Sequence, residues 1–110
     1  MLKHPSNPSL INREGFWASK YYPNLPIVVA SDKPWKGQKK FLKYLIALEA
    51  RLRPQRYKGW STCRICKCHN GSTEYVYNGW RWPEGFAHYV LEHNVRPSLA
   101  FQEMVSGPIE

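Results

Sequence analysis

Long hydrophobic runs are missing from this chain: the longest uninterrupted apolar stretch is Tyr44–Leu48, far short of the ~20 residues a spanning helix needs. Met1-Leu-Lys-His-Pro begins no signal peptide, so a cytoplasmic location is expected, with no membrane among the partners. There is no Gly-rich phosphate loop, no Gly-x-Ser-x-Gly elbow, and no carboxylate pair near the histidines beyond Glu92. Those gaps leave the common enzymatic signatures unfilled. Cysteine is scarce as well. Cys63, Cys66 and Cys68 are odd in number and too closely spaced for a disulfide framework, so metal ligation is the better reading. At 110 residues the chain has room for one small domain and not for a large enzyme scaffold.

Acidic residues are also few, 8 Asp+Glu against 16 Lys+Arg, and the resulting net charge of +8 is unevenly placed. Residues 1–61 carry 12 basic and 3 acidic side chains, a net +9, whereas residues 62–110 carry 4 and 5, a net −1. A Zn²⁺ ion bound by two thiolates leaves that contrast unchanged, so any electrostatic footprint for phosphate belongs to the N-terminal half. What the chain has in quantity is apolar and aromatic surface. A hydrophobic content of 43% with 15% aromatics excludes a disordered chain, while nine prolines, five of them in residues 1–34, indicate irregular connections.

Residues 1–35 read as a proline-containing arm, in which Leu25–Ala30 could form a short strand, and residues 36–110 as a single globular unit. Lys36–Arg53 lacks internal proline and is stopped by Pro54. At 100° per residue it sets Phe41, Leu45, Leu48 and Leu52 in one stripe, with Lys36, Lys39, Lys40, Lys43 and Arg51 opposite. Arg53, Arg56 and Lys58 continue the positive run. This face is either merely solvated or a phosphate-contacting surface. In Glu74–Trp82, Asn78-Gly79 supplies the two positive-φ positions of a type I′ turn, which pairs Tyr77 with Trp80, Tyr75 with Trp82, and Val76 with Arg81. Those aromatics form a core face or, less simply, a base-stacking platform. Pro83-Glu84 is read as opening a helix to about His93, with Asn94 as a left-handed stop, and Ser98 as capping a short helix 98–105.

Within the module spanning residues 60–94, Cys63-x2-Cys66, the aromatic hairpin and a helix bearing His88-x4-His93 follow the order of a ββα zinc finger. The interval of 21 residues between Cys66 and His88 exceeds the usual ~12 of a DNA-reading finger. Five residues on an ideal helix leave the two histidines ~140° apart, so the last turn must widen or tighten for both to reach one ion. Competing ligand sets replace one histidine with Cys68 or His69, and a metal-free chain is the remaining alternative. A filled four-ligand site has no position for water and is structural, so the chain is expected not to be an enzyme. A His-metal ββα nuclease, using Cys68-His69-Asn70 and Glu92-His93-Asn94, is the distant enzymatic alternative. His4 is expected to be solvated. The helix start Pro83-Glu84-Gly85-Phe86 is acidic and apolar, a poor base-reading surface.

Trp60-Ser61-Thr62-Cys63-Arg64-Ile65-Cys66, Asn70-Gly71-Ser72, Gly79–Gly85, His88-Tyr89 and His93–Pro97 together resemble a group of small uncharacterised bacterial proteins. The resemblance covers roughly residues 57–105, with a looser echo in Pro34–Gln38. It implies a zinc-finger-like core whose ligand positions are Cys63, Cys66, His88 and His93, treats Cys68 as an addition, and implies no activity. The fold expected is α+β: one small domain in which a zinc-clipped ββα finger-like module packs on an amphipathic basic helix. Two functions of different class remain. One is nucleic-acid binding through Lys36, Lys39, Lys40, Lys43, Arg51, Arg53, Arg56 and Lys58. The other is a protein-binding adaptor or inhibitor that sets exposed aromatics among Trp17, Tyr21, Tyr22 and Trp35, with basic charge, against an acidic protein surface.

Overall fold

The Asn78-Gly79 turn organises the sheet. In a computed structural model, which describes residues 12–56 and 61–107, Asn78 and Gly79 take φ of 51° and 80°, as a type I′ turn requires. The turn joins β3 (Thr73–Tyr77) to β4 (Trp80–Pro83) in the register expected from the sequence: Tyr77 opposite Trp80, Val76 opposite Arg81, Tyr75 opposite Trp82. Two strands of two residues each complete a four-stranded sheet. β1 (Asn12–Arg13) runs parallel to β4, and β2 (Gln55–Arg56) runs antiparallel to β3, giving the order β1-β4-β3-β2. On one face Tyr75 stacks on Trp82 with centroids 5.7 Å apart; on the other, Arg81 reaches Glu74 at 3.1 Å.

Three helices cover the aromatic face. Helix α1 (Gln38–Glu49) is shorter than the expected 36–53, because Gly37 at φ 90° makes the entry and the chain tightens after Ala50 through Arg51 N–H to Leu48 O and Leu52 N–H to Glu49 O. Its stripe is as expected: Phe41, Leu45 and Leu48 are buried, and Leu52 packs against them. Helix α2 is Phe86–His93. Pro83 does not open it but ends β4, paired with Glu74, since its ring needs no ladder N–H at the strand's end. Helix α3 (Leu99–Ser106) is capped by Ser98, whose Oγ accepts from Phe101 N–H at 3.2 Å. Phe101 is the centre of the core. Its ring lies 5.2–5.3 Å from those of Trp80, Trp82 and Phe86 and 6.1 Å from Phe41.

The described part of the arm joins this body. Glu14 accepts from Ser98 N–H and Oγ–H, Trp17 packs between the main core and a smaller cluster of Cys63, Tyr89 and Val95, and Trp35 Nε1–H donates to Val95 O at 3.1 Å. Leu25–Ala30 is not a strand. It is tethered by Ala18 N–H to Pro26 O, and Ser31 N–H bonds His93 O, while Ile27 and Val29 face outward. Val28 alone packs inward, so the segment has one anchor and no ladder. The chain is thus a small α+β domain of one sheet and three helices among the described residues. No helix among them is long and apolar enough to cross a membrane.

Candidate metal centre and basic surfaces

The two cysteines are held by a tight knuckle. Cys63 N–H donates to Cys68 O at 2.9 Å, Lys67 N–H returns to Cys63 O at 3.0 Å, and Lys67 takes the left-handed conformation, φ 67°, that lets the chain reverse. The backbone N–H groups of Ile65 and Cys66 both point at Cys63 Sγ, at 3.4 Å, stabilising negative charge on that buried sulfur. A second layer fixes the knuckle to the finger helix. Asn70, buried, donates from Nδ2 to Gly85 O at 3.2 Å, and Glu84 receives the N–H groups of Ser72 and Thr73. Those two bonds hold the Glu84 carboxyl below its usual range against a desolvation that acts the other way.

The histidines converge because α2 ends wide. The N–H groups of Asn94 and Val95 both donate to Tyr89 O, five and six residues back instead of four, and Asn94 sits at φ 54°. The extra residue in the last turn closes most of the ~140° that an ideal helix would leave between His88 and His93. The carbonyl this frees, Val90 O, accepts from Gln38 Nε2 at 3.1 Å; the same amide group donates to Asn94 Oδ1 at 2.9 Å, and Asn94 Nδ2 donates to Ser31 O. Gln38 therefore ties α1 to the end of α2 that carries His93. Sequence reasoning missed this residue, although the signal was there: Gln38 lies three residues before Phe41, on the apolar stripe, where a polar side chain must be bridging something.

The four expected ligands meet. One donor atom from each of Cys63, Cys66, His88 and His93 lies within 4.8 Å of all the others, a group that could hold a metal ion. Cys63 Sγ is 3.4 Å from His93 Nε2, and Cys66 Sγ is 3.4 Å from His88 Nε2. Cys63 is buried, the histidines are half-buried, and Cys66 is exposed. Cys68 borders this group without belonging to it, its sulfur 3.3 Å from Cys66 Sγ and 3.5 Å from His88 Nε2. The Cys68 backbone N–H and thiol, donating to Cys66, pull the Cys66 thiol down to about 5 and so favour a thiolate, while the Cys68 thiol is raised by making that bond. His69 pairs through its backbone with Thr62 and stands outside the group. Behind the knuckle, the Tyr89 hydroxyl accepts Arg64 N–H at 2.8 Å; burial pushes its pKa up to about 12, so it stays a phenol.

The expected basic residues divide by position. Lys39, Lys40 and Lys43 lie on the outer face of α1, Lys36 just before it, Arg51 and Arg53 in the turn after it, and Arg56 in the edge strand β2; all seven are exposed. Lys58 and His4 lie outside the described residues. Among the described residues none of the seven is in an ion pair. The one carboxylate of α1, Glu49, is turned inward, where it accepts Trp82 Nε1–H at 2.8 Å. Of the four aromatics expected to be exposed, Tyr21 and Tyr22 are, but Trp17 and Trp35 are half-buried and packed against the core. The hairpin aromatics form core: Trp82 is fully buried and only Tyr77 stands out, so no stacking platform exists there. The chain matches no protein-family model, no curated protein and no solved structure.

Proposed function

We propose that this chain is a non-enzymatic nucleic-acid-binding module whose fold is clipped by a structural zinc ion at Cys63, Cys66, His88 and His93. Two thiolates and two imidazoles are a zinc donor set. The cross-site S···N separations of 3.4 Å fit the ion's geometry, since bond lengths of about 2.3 and 2.0–2.1 Å in a tetrahedron space sulfur and nitrogen by about 3.6 Å. Four protein donors leave no site for a water or substrate, so the ion's contribution is to folding. Its place between the knuckle and the end of α2, which meet at the small Cys63, Tyr89 and Val95 cluster, supports that role.

The binding reading is carried by one observation: Lys39, Lys40 and Lys43 stand exposed on the outer face of α1 with Lys36 exposed just before it, without ion pairs among the described residues, and the one carboxylate of α1 is turned into the core. Cations left free in this way displace condensed counterions when they meet phosphates, giving affinity with little sequence preference and a steep dependence on salt. The test is the triple variant Lys39→Gln, Lys40→Gln, Lys43→Gln, titrated with a mixed-sequence duplex across a range of salt. The slope of log K against log salt should shrink by about 0.9 for each lysine that contacts a phosphate. Unchanged affinity and slope would remove α1 from the interface.

A further inference from the structure

A second surface, distinct from α1, lies where residues 13–25 face the cysteine knuckle. We propose that this groove binds a single-stranded nucleic-acid segment, with its phosphates over four cations and its bases stacked on Tyr21 and Tyr22. The groove encloses about 870 Å³, lined by Arg13, Lys20, Arg64 and Lys67 together with the two tyrosines. That volume falls within the ~300–1,000 Å³ of ordinary ligand sites. No carboxylate among the described residues lines it, and the two next to lining residues in sequence are engaged, Glu14 with Ser98 and Glu84 with the N–H groups of Ser72 and Thr73. The proposed ion does not alter this balance, since Zn²⁺ with two thiolates is neutral overall.

The cations and the rings are both held in place. Arg64 is fixed by its guanidinium bond to Thr62 O, and Lys67 Nζ donates to Arg64 O at 3.0 Å, so the knuckle that carries the metal ligands also carries half of the positive charge. Tyr21 and Tyr22 sit on a turn braced by Ser19: both N–H groups donate to Ser19 Oγ at 3.3 Å, and Tyr22 and Ser19 exchange backbone bonds. Tyr21 and Tyr22 are nonetheless 76% and 63% exposed, two adjacent aromatic residues open to solvent at the edge of a cationic groove. Lys20 Nζ lies over one face of the Tyr21 ring, 5.3 Å from its centroid, which leaves the opposite face for a base with a cation close by. A cationic groove with exposed rings is the arrangement that follows a backbone while stacking unpaired bases. A duplex hides its base faces, and an acidic peptide offers charge without flat rings, so neither uses both features.

The proposal stands on different residues from the α1 reading, and one experiment separates them. The zinc-loaded full chain is titrated with a labelled mixed-sequence DNA strand of about 12 nucleotides, a length typical of such sites, and with the same sequence as a duplex. Tyr21→Ala with Tyr22→Ala should weaken single-strand binding by about 30-fold or more, the equivalent of two stacked bases at ~1 kcal/mol or more each, and leave duplex binding unchanged. Tyr21→Phe with Tyr22→Phe should bind like the native chain. Lys20→Gln should weaken single-strand binding and reduce its salt slope. Loss of duplex affinity in the lysine triple variant, together with a loss confined to single strand in the alanine pair, supports both readings. An unchanged lysine triple variant beside a weakened alanine pair removes α1 and leaves the groove standing. Native-like single-strand affinity in the alanine pair overturns the proposal. So does displacement of the strand by polyglutamate as readily as by unlabelled oligonucleotide, which would assign the groove to an acidic protein.

Discussion

Replacing Glu49 with Gln should make the domain more stable at neutral pH, and the gain should vanish in acid. Glu49 lies under the sheet with its carboxylate on Trp82 Nε1–H, and burial raises its pKa from an ordinary 4.5 to about 7; the Trp82 bond opposes the rise and the Glu84 carboxylate adds to it. Tyr75, stacked on Trp82, is the other titratable group nearby, and its own pKa is raised by burial and then by Glu49 and Glu84. The sign follows from proton binding. The folded state holds the Glu49 proton more tightly than the unfolded chain does, so this group contributes most stability below pH ~4.5 and loses it as pH climbs through about 7. At about 1.4 kcal/mol per pH unit, a rise from 4.5 to about 7 amounts to about 3 kcal/mol. Glutamine keeps an oxygen for the Trp82 N–H and carries no charge. Urea unfolding of both proteins, zinc-saturated, at several pH values between 5 and 8 gives the difference directly, and the effect of proton competition at the metal cancels between them. The Gln variant should gain from pH 5 to about 7 and level off above it. Parallel stability curves would show that Glu49 is not desolvated in the fold, and the packing described beneath the sheet would be wrong.

Phe101→Ala should lower stability by about 4 kcal/mol, because it removes a fully buried ring that touches four others and the sheet and helices cannot close on the gap; urea denaturation measures it, and a change below about 1 kcal/mol would deny Phe101 its central place. Cys63→Ser and Cys66→Ser should each lose bound zinc and unfold the C-terminal half, whereas Cys68→Ser should retain the ion; equal loss in all three would contradict the ligand set. In the groove, Lys20→Gln and the tyrosine pair should act on single strands alone, while the α1 lysines act on any phosphate backbone.

The parts of this fold that were legible in the sequence are those set by local rules. Asn78-Gly79 has one good conformation in a hairpin and therefore fixed the pairs from Tyr77 with Trp80 to Tyr75 with Trp82, and the Phe41, Leu45, Leu48 spacing fixed the inner face of α1. The cysteines and histidines could be chosen by residue type and spacing alone, yet how His88 and His93 meet depends on Asn94 N–H bonding five residues back, which no spacing rule states. Other elements are tertiary and left little local trace. β1 and β2 are two residues long and exist only because β4 and β3 are there to pair with them. Pro83 carries the mark of a helix start but ends a strand, and Leu25–Ala30 carries the mark of a strand but finds no partner. Nothing local marks Glu49 for burial, and the Trp82 indole across the core accounts for its inward turn.

The central claim is that a zinc ion closes this fold through Cys63, Cys66, His88 and His93. Metal content per chain, measured on the purified protein together with its helicity before and after a strong chelator, tests it most directly. The account predicts one zinc per chain and a collapse of the finger module, with loss of α2, once the ion is withdrawn. A metal-free protein whose helicity is indifferent to chelator would contradict it.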